Sequence, residues 1–310
     1  MHNIMLLGGG GFIGNAVARA LVANGQNVLV LNRTGQSSVP GVAVCTVDRA
    51  SPTDVLRATE RFSADIIIDM IAFEEADTLP LLDCLQGSVR RYVLISSCDV
   101  YAAFGRLLGT EAGATDNTVL CEDAPLRTRL YPFRGKMAGR QWYDKIPLEQ
   151  AALGCADLES VILRLPMVFG PGDPRRRFQH LCQALMMPKR TITLSGKEAR
   201  WKSPLLHVDD VARAIALAAT HSQTPGGIFN IGPETHVSES QRALAFARAI
   251  GRTIKLEIKS EAKEGTGQNF DQHVVLSSAL LRRLTGWLPR LTDDEAYQSV
   301  WAWEQEAALL

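Results

Sequence analysis

Short, mostly apolar runs recur along the chain, at residues 4–7, 28–31, 42–47, 66–68, 92–95 and 161–165. Continuous rather than alternating hydrophobicity marks strands buried on both faces. Between the first two runs, Ile13, Val17, Ala20 and Leu21 fall on one helical stripe, and Gly25 follows where a left-handed residue would end that helix. Strand, helix and strand make a βαβ unit. Repeated five or six times, the pattern predicts an α/β fold with a Rossmann doubly wound parallel sheet, whose ligand sits beyond the carboxyl ends of the strands.

After Leu165 the rhythm changes. Pro166, Gly170, Pro171, Gly172 and Pro174 precede a basic helix start at Arg175, Arg176 and Arg177. A helix over 208–219 and a strand over 228–231 bring the chain back to the sheet before a helical C-terminus. The expected organisation is a Rossmann dinucleotide-binding domain over 1–165, rejoined by 205–235. A smaller, mainly helical substrate lobe would come from 166–204 and 236–310.

Composition narrows the classes of function. With 310 residues, 46% hydrophobic and 21% charged, the chain has the makings of a sizeable core. Its 33 basic and 33 acidic residues leave no net field to gather polyanions, which argues against nucleic acid as a partner. Six scattered cysteines include no CxxC pair, so neither a metal site nor a disulfide framework is expected. The N-terminal apolar run is too short for a secretory signal, and no stretch reaches the ~18 apolar residues of a membrane span. The expected location is cytoplasmic.

Gly8, Gly9, Gly10 and Gly11, then Phe12, Ile13 and Gly14, close the first strand and open the first helix. The run satisfies GxGxxG from Gly9 and GxxGxxG from Gly8 at once. In either register Gly8, Gly11, Phe12, Ile13 and Gly14 would bind a dinucleotide, because a tight turn without Cβ atoms lets the helix N-terminal amides face a pyrophosphate. The second strand ends at Asn32 and Arg33, where an NAD-specific fold would place an acid. No acid is present, and Arg33 either bonds a 2′-phosphate or lies solvated in a loop. NADP is therefore the expected cofactor, with NAD as the alternative. Asp48, after the third strand, either meets the adenine edge or caps a turn.

Five phrases carry a family resemblance: GGGGFIG at 8–14, SSCDVY at 96–101, LRLPMVFGPGD at 163–173, LLHVDDVARAI at 205–215 and IFNIGP at 228–233. Over roughly the first 235 residues the chain resembles the extended or atypical branch of the short-chain dehydrogenase/reductases, the NAD-dependent epimerase/dehydratase family. The resemblance implies that the Rossmann domain holds the cofactor while the C-terminal lobe closes over the substrate. It also implies a Tyr and a Lys four apart on one helix, the Lys lowering the Tyr pKa so that the phenolate takes a proton from a substrate hydroxyl. Ser97 matches the family's hydroxyl at the end of the fifth strand, and Ser96 beside it falls among the cofactor contacts. Asp99 matches a position where family dehydratases carry an acid/base residue.

The Tyr/Lys helix departs from that pattern. Aligning Lys145 and Glu149 with the family's Lys and Glu puts Gln141 where the tyrosine belongs, and no YxxxK occurs nearby. On a regular helix Tyr143 and Lys145 would point about 200° apart. Pro147 is best tolerated in a first turn, however, which predicts a helix starting near Asp144 as its N-cap with Tyr143 in the loop before it. Tyr143 then either reaches the nicotinamide side as a displaced base, with Lys145 on the ribose, or packs as an aromatic while Lys145 touches only the cofactor.

Other polar residues carry weaker signals. His207, Asp209 and Asp210 fit a helix cap and lobe-positioning role. Arg175, Arg176 and Arg177, with Lys189 and Arg190, either line an anionic pocket or form a solvated run. Arg164 is expected to pair internally, and Trp287, Trp301 and Trp303 to pack in the C-terminal lobe. The expected function is an NAD(P)-dependent epimerase, dehydratase or reductase acting on a sugar-nucleotide or a small carbonyl or hydroxyl substrate. Two alternatives stand beside it. One is a non-catalytic NADP-binding sensor; the other is an RNA-binding protein, since chloroplast stem-loop RNA-binding proteins resemble this branch. A homodimer through residues 74–85 and 144–153 is a further expectation.

Overall fold

The computed structural model describes residues 1–259 and 267–307. The chain runs β1 (Asn3–Leu7), α1 (Phe12–Ala23), β2 (Asn27–Asn32), β3 (Ala43–Thr46), α2 (Pro52–Phe62), β4 (Ile66–Asp69), α3 (Glu75–Leu85) and β5 (Arg91–Ser97). A 3-10 turn (Cys98–Val100) and α4 (Ala102–Leu107) follow, then α5 (Lys145–Gly154), β6 (Glu159–Leu165), β7 (Met167–Phe169), α6 (Gln179–Met186), β8 (Thr191–Ser195) and α7 (Gly196–Arg200). The rest comprises β9 (Leu205–His207), α8 (Val208–Thr220), β10 (Gly227–Asn230), α9 (Glu239–Ala249), β11 (Lys255–Lys259), α10 (Ala279–Thr285) and α11 (Asp293–Ala307).

Seven strands pair in the order β10-β6-β5-β4-β1-β2-β3, and every pairing is parallel. The pleat divides β1 between two cores. Ile4 and Leu6 pack with α1 and α8, whereas Met5 and Leu7 pack with α2, α3 and α5. Both faces are thus covered, as the mostly apolar runs require. β3 is the exception: it is the sheet edge and its residues are largely exposed, so continuous hydrophobicity there does not signal two-sided burial. Strand order reverses at β1 and β4, which opens a crevice at their carboxyl ends.

Beyond β6, two small parallel sheets, β7 with β9 and β8 with β11, stand with α6, α9 and α11 around Phe169, Phe178, Phe246 and Tyr297. Three local expectations change. Trp287, 2% exposed, packs with α8 and Leu281 of α10 on the sheet side, not in the C-terminal cluster. Arg175 to Arg177 precede a helix rather than start one, because α6 begins only at Gln179. α8 starts at Val208 with the His207 ring accepting from the Asp209 amide, so His207, not the acids after it, caps this helix.

Candidate active site

Gly8 occupies φ +81°, and a Cβ there would lie 2.5 Å from Ile71. A Cβ on Gly14 would lie 2.7 Å from the Gly8 carbonyl oxygen and 2.8 Å from the Gly9 Cα. Gly8 and Gly14 therefore require glycine, one to bend the chain and one to let α1 press against the turn, while a Cβ on Gly11 would meet nothing nearer than 3.8 Å. Gly11 is the N-cap of α1, with no side chain capping the helix and no acid in its first turn. The fit to a dinucleotide pyrophosphate is good, since the open N-terminus of α1 follows a turn of four glycines that carry no side chain.

A cleft of about 470 Å³ continues from this turn, lined by Gly8, Gly11, Arg33, Asp48, Arg49 and Phe73. Asn32 organises its rim, accepting from the Thr34 and Gly35 amides. Arg33 is exposed on that rim and makes no ion pair among the described residues. Asp48 both lines the cleft and caps a turn by accepting from the Ala50 amide at 3.0 Å.

A second cleft, about 280 Å³, lies where the nicotinamide end of a dinucleotide would reach. Phe12, Ile13, Phe73, Ser96, Ser97, Tyr143, Lys145 and Arg175 are among its lining residues. Its geometry depends on where α5 starts. Asp144 caps the helix by accepting from the Ile146 amide at 3.0 Å, Lys145 is the first helical residue, and Tyr143 stands in the loop before it. Pro147 sits in the first turn, where its missing N–H costs no helical hydrogen bond. Gln141 is exposed, and its carbonyl accepts from Arg134.

Tyr143 and Lys145 nevertheless converge on one cleft. The Tyr143 hydroxyl donates to Asp99 Oδ2 at 2.8 Å. Lys145 Nζ donates to the carbonyls of Ala72 and Ile95, the latter at 2.8 Å, and lies 5.7 Å from the Tyr143 ring centroid. Asp99 is 4% exposed, and its other oxygen, Oδ1, has no partner. Ser97 Oγ accepts from the Asp99 amide at 3.1 Å, which orients that residue.

Burial pushes the Asp99 carboxyl above the ordinary value of 3.8, against the pull of Arg127, Tyr143 and Lys145. Burial and the Asp99 charge hold the Tyr143 phenol well above 10, partly opposed by Arg140 and the Ser97 hydroxyl. Burial pulls the Lys145 ammonium down to about 8, against Asp69 and Asp99. The surroundings of Tyr143 therefore favour its protonated phenol over a phenolate.

Ser96 lines the cleft, but its hydroxyl is committed elsewhere. It donates to Glu149, which pairs with Arg164 at 2.7 Å, and Arg164 continues to Tyr101. This candidate cofactor contact thus lines the cleft and also serves a buried chain of hydrogen bonds. Arg175 and Arg177 both line this cleft; Arg177 pairs with Asp173 and Arg176 with Glu304, while Arg175 makes no ion pair among the described residues. A third cleft of about 200 Å³ contains His207, Asp210 and Arg242, all hydrogen-bonded within the protein.

Three features of the site carry little sequence signal. Arg49 pairs with Asp69 at the carboxyl end of β4, with Tyr92 donating to the same acid. Arg127 donates to the Asp99 carbonyl and to Asp144 Oδ1 at 3.0 Å. Phe73 stands between the two clefts. Only Asp69 leaves a trace in the sequence, as an acid ending an apolar strand.

The model of the NAD dependent epimerase/dehydratase family matches residues 4–232, most of the chain. The chain belongs to this family. As a member it is similar, in sequence, to a 2-alkyl-3-oxoalkanoate reductase of Stenotrophomonas maltophilia, 30% identical over 176 residues, which are 55% of this chain and 52% of the reductase. The match thus spans about half of that relative's length. The chloroplast stem-loop binding protein of 41 kDa b of Arabidopsis thaliana is 24% identical over 311 residues, covering 92% of this chain and 75% of that protein.

Solved structures similar to this epimerase/dehydratase family member include a UDP-glucose-4-epimerase from Stenotrophomonas maltophila with bound NAD, at TM-score 0.75 and 18% identity over 100% of this chain and 99% of that one. A dTDP-glucose 4,6-dehydratase from Bacillus anthracis in complex with NAD gives TM-score 0.72 and 16% identity, over 99% of this chain and 97% of that one. At such identities the likeness is one of fold. Among the described residues, no helix is long and apolar enough to cross a membrane.

Proposed function

We propose that this family member is an NADP-preferring oxidoreductase acting at a carbonyl or secondary hydroxyl carbon of a small substrate, with its proton carried by Tyr143 and Asp99. The observation that carries this is the 2.8 Å hydrogen bond from the Tyr143 hydroxyl to Asp99 Oδ2, in the cleft that also holds Ser97 and Lys145. When bound, the nicotinamide supplies or accepts the hydride. Everything else falls to side chains.

In the oxidation direction, Tyr143 Oη takes the proton of the substrate hydroxyl while its own proton passes to Asp99 Oδ2. The C–H hydrogen leaves the substrate as hydride and a C=O bond remains. Asp99, with its raised pKa, is a fitting proton sink. In reduction the two proton hops reverse, and Asp99 must begin protonated. Ser97 holds Asp99 through its amide, and Lys145 is placed to hold the ribose and set the Tyr143 ring. Arg33 would recognise a 2′-phosphate, and Gly8, Gly11, Phe12, Ile13 and Gly14 the pyrophosphate turn.

The similarity to a 2-alkyl-3-oxoalkanoate reductase supports a 3-oxo acid or its hydroxy acid over a sugar-nucleotide, because the sugar-nucleotide neighbours share only the fold. The test is NADPH oxidation with a panel of 3-oxo acids and NADP reduction with sugar-nucleotides, each repeated with Tyr143→Phe. Full turnover by Tyr143→Phe would remove the phenol from the mechanism and make Tyr143 a packing residue. A second function, RNA binding, is favoured by the similarity to the stem-loop binding protein over nearly the whole chain. Salt-dependent RNA affinity, retained in Tyr143→Phe, would support it. Homodimerisation through α3 and α5 belongs to the same proposal, since Leu79 and Leu153 are exposed on those helices.

A further inference from the structure

Residues 128–143 contain Arg129, Arg134, Lys136 and Arg140 and no acid. This segment reaches the nicotinamide-side cleft at Tyr143, with the Phe133 ring 5.4 Å from that of Tyr143. Arg134 is held in place by the Gln141 carbonyl and by the Tyr131 and Trp142 rings, 4.2 and 4.3 Å away. Arg140 is different. Its guanidinium lies 4.3 Å from the Phe73 ring centroid and 5.1 Å from that of Tyr143, two rings that line the cleft.

Arg140 is half-buried, yet among the described residues it has no carboxylate in ion-pair range and its guanidinium donates no hydrogen bond. The buried arginines Arg49, Arg91, Arg127, Arg164 and Arg242 are all paired. A partly desolvated cation ordinarily carries such a partner, because losing water without gaining an anion is costly. Stacking on aromatic faces compensates in part and leaves the planar N–H fork open. Arg175 lines the cleft that the Phe73 and Tyr143 rings line and, among the described residues, also has no ion pair.

We infer that Arg140 is the receptor for an anionic group on the substrate, a carboxylate or a phosphate, held beside Tyr143 with Arg175 contributing charge to the same cleft. This rests on the redox function proposed above and names its substrate class: a molecule whose reacting carbon lies within a few bonds of an anion. A forked guanidinium suits a two-oxygen acceptor, and its position over Tyr143 would fix which carbon faces the phenol.

The test uses the full chain with three probes: 3-oxooctanoate and its methyl ester with NADPH, and UDP-glucose with NADP as the hydride acceptor. Sulfate titrated into the NADP-loaded protein by calorimetry reads anion binding without turnover. Arg140→Met is expected to raise KM for the acid roughly 10-fold to 100-fold, as loss of a charge-assisted hydrogen bond implies, with little change in kcat or in the KM of the ester. Arg140→Lys should restore part of the affinity, and NADP affinity checks that each variant is folded.

A larger effect on UDP-glucose than on the acid would identify the anion as phosphate and uphold the site. If wild type turns over no probe but Arg140→Met still weakens sulfate binding, the redox function fails and the anion site stands. Equal effects on acid and ester, or unchanged affinity for every anion, would overturn it. So would loss of RNA retention alone, which would turn the basic segment into a nucleic-acid surface.

Discussion

Asp99→Asn tests the buried acid from two directions at once. In the wild type one carboxylate oxygen accepts from Tyr143 and the other has no partner, at a residue only 4% exposed. A buried acceptor left unsatisfied costs about 1–3 kcal/mol, and more when charged. Asparagine has the same shape, keeps an oxygen for the Tyr143 hydroxyl and removes the charge; its NH2 group takes the place of the unpartnered oxygen and is unpaired too, so the expected gain in stability comes from the lost charge alone, about 1–2 kcal/mol at pH 7. At roughly 2 °C per kcal/mol for a chain of this size, the melting temperature should rise about 2–4 °C.

The gain should depend on pH. Because the folded-state pKa of Asp99 lies above the ordinary 3.8, the folded protein binds this proton more tightly than the unfolded chain does. Wild-type stability is therefore greatest below 3.8 on this account and falls as pH rises toward the folded value. Asp99→Asn lacks that fall, so the two proteins should converge in acid and separate toward neutrality. Turnover should drop about 100-fold or more in the variant, since the amide cannot receive a proton. Thermal melts of both proteins from pH 4 to 8 decide the matter. A variant less stable at pH 7, or a gap that does not change with pH, would refute the reasoning.

Arg33→Ala should weaken NADP binding by about 1.5–3 kcal/mol while leaving NAD almost unchanged, which fluorescence titration of the two reduced cofactors would read. Lys145, pulled down to about 8, should lose its proton as pH rises through that value, so NADP affinity should weaken between pH 7 and 9 and Lys145→Met should flatten the profile. Over about pH 8 to 10.5 the cofactor-free protein should gain stability from the same group, since there the unfolded chain holds the extra proton. In Gly14→Ala the new Cβ would meet backbone atoms of Gly8 and Gly9 below 3 Å, and neither can yield without moving the turn. A cost of about 1–3 kcal/mol in urea unfolding and weaker NADP binding are expected; a change under about 0.5 kcal/mol would show that the turn is more plastic.

The sheet is legible in the sequence because six of its strands lie under helices on both faces and so read as mostly apolar runs. β3 reads the same way at the exposed edge, since hydrophobicity reports what a segment tolerates and not where it is placed. The start of α5 is legible too, because a proline three residues past an aspartate admits few helix registers. Pairing is not. Asp99 and Tyr143 are 44 residues apart, and Arg127 reaches 28 residues back to the Asp99 carbonyl. Nothing local predicts which distant group a long side chain will meet. Ser96 shows the same limit, since nothing beside it in the sequence points to Glu149, 53 residues on.

Arg127 joins the Asp99 carbonyl to Asp144, and Asp144 in turn holds the Tyr131 amide at 2.6 Å as well as the first turn of α5. A tyrosine and a lysine on one helix owe their separation to helical pitch, which any helix-forming sequence maintains. With the tyrosine moved into a loop, the separation rests instead on one ion pair shut away from solvent. The burden of keeping the site in shape has therefore shifted from a repeating backbone to a few irreplaceable side chains. Random mutagenesis should find the outer face of α5 permissive and Arg127 and Asp144 almost invariant, although neither faces the clefts.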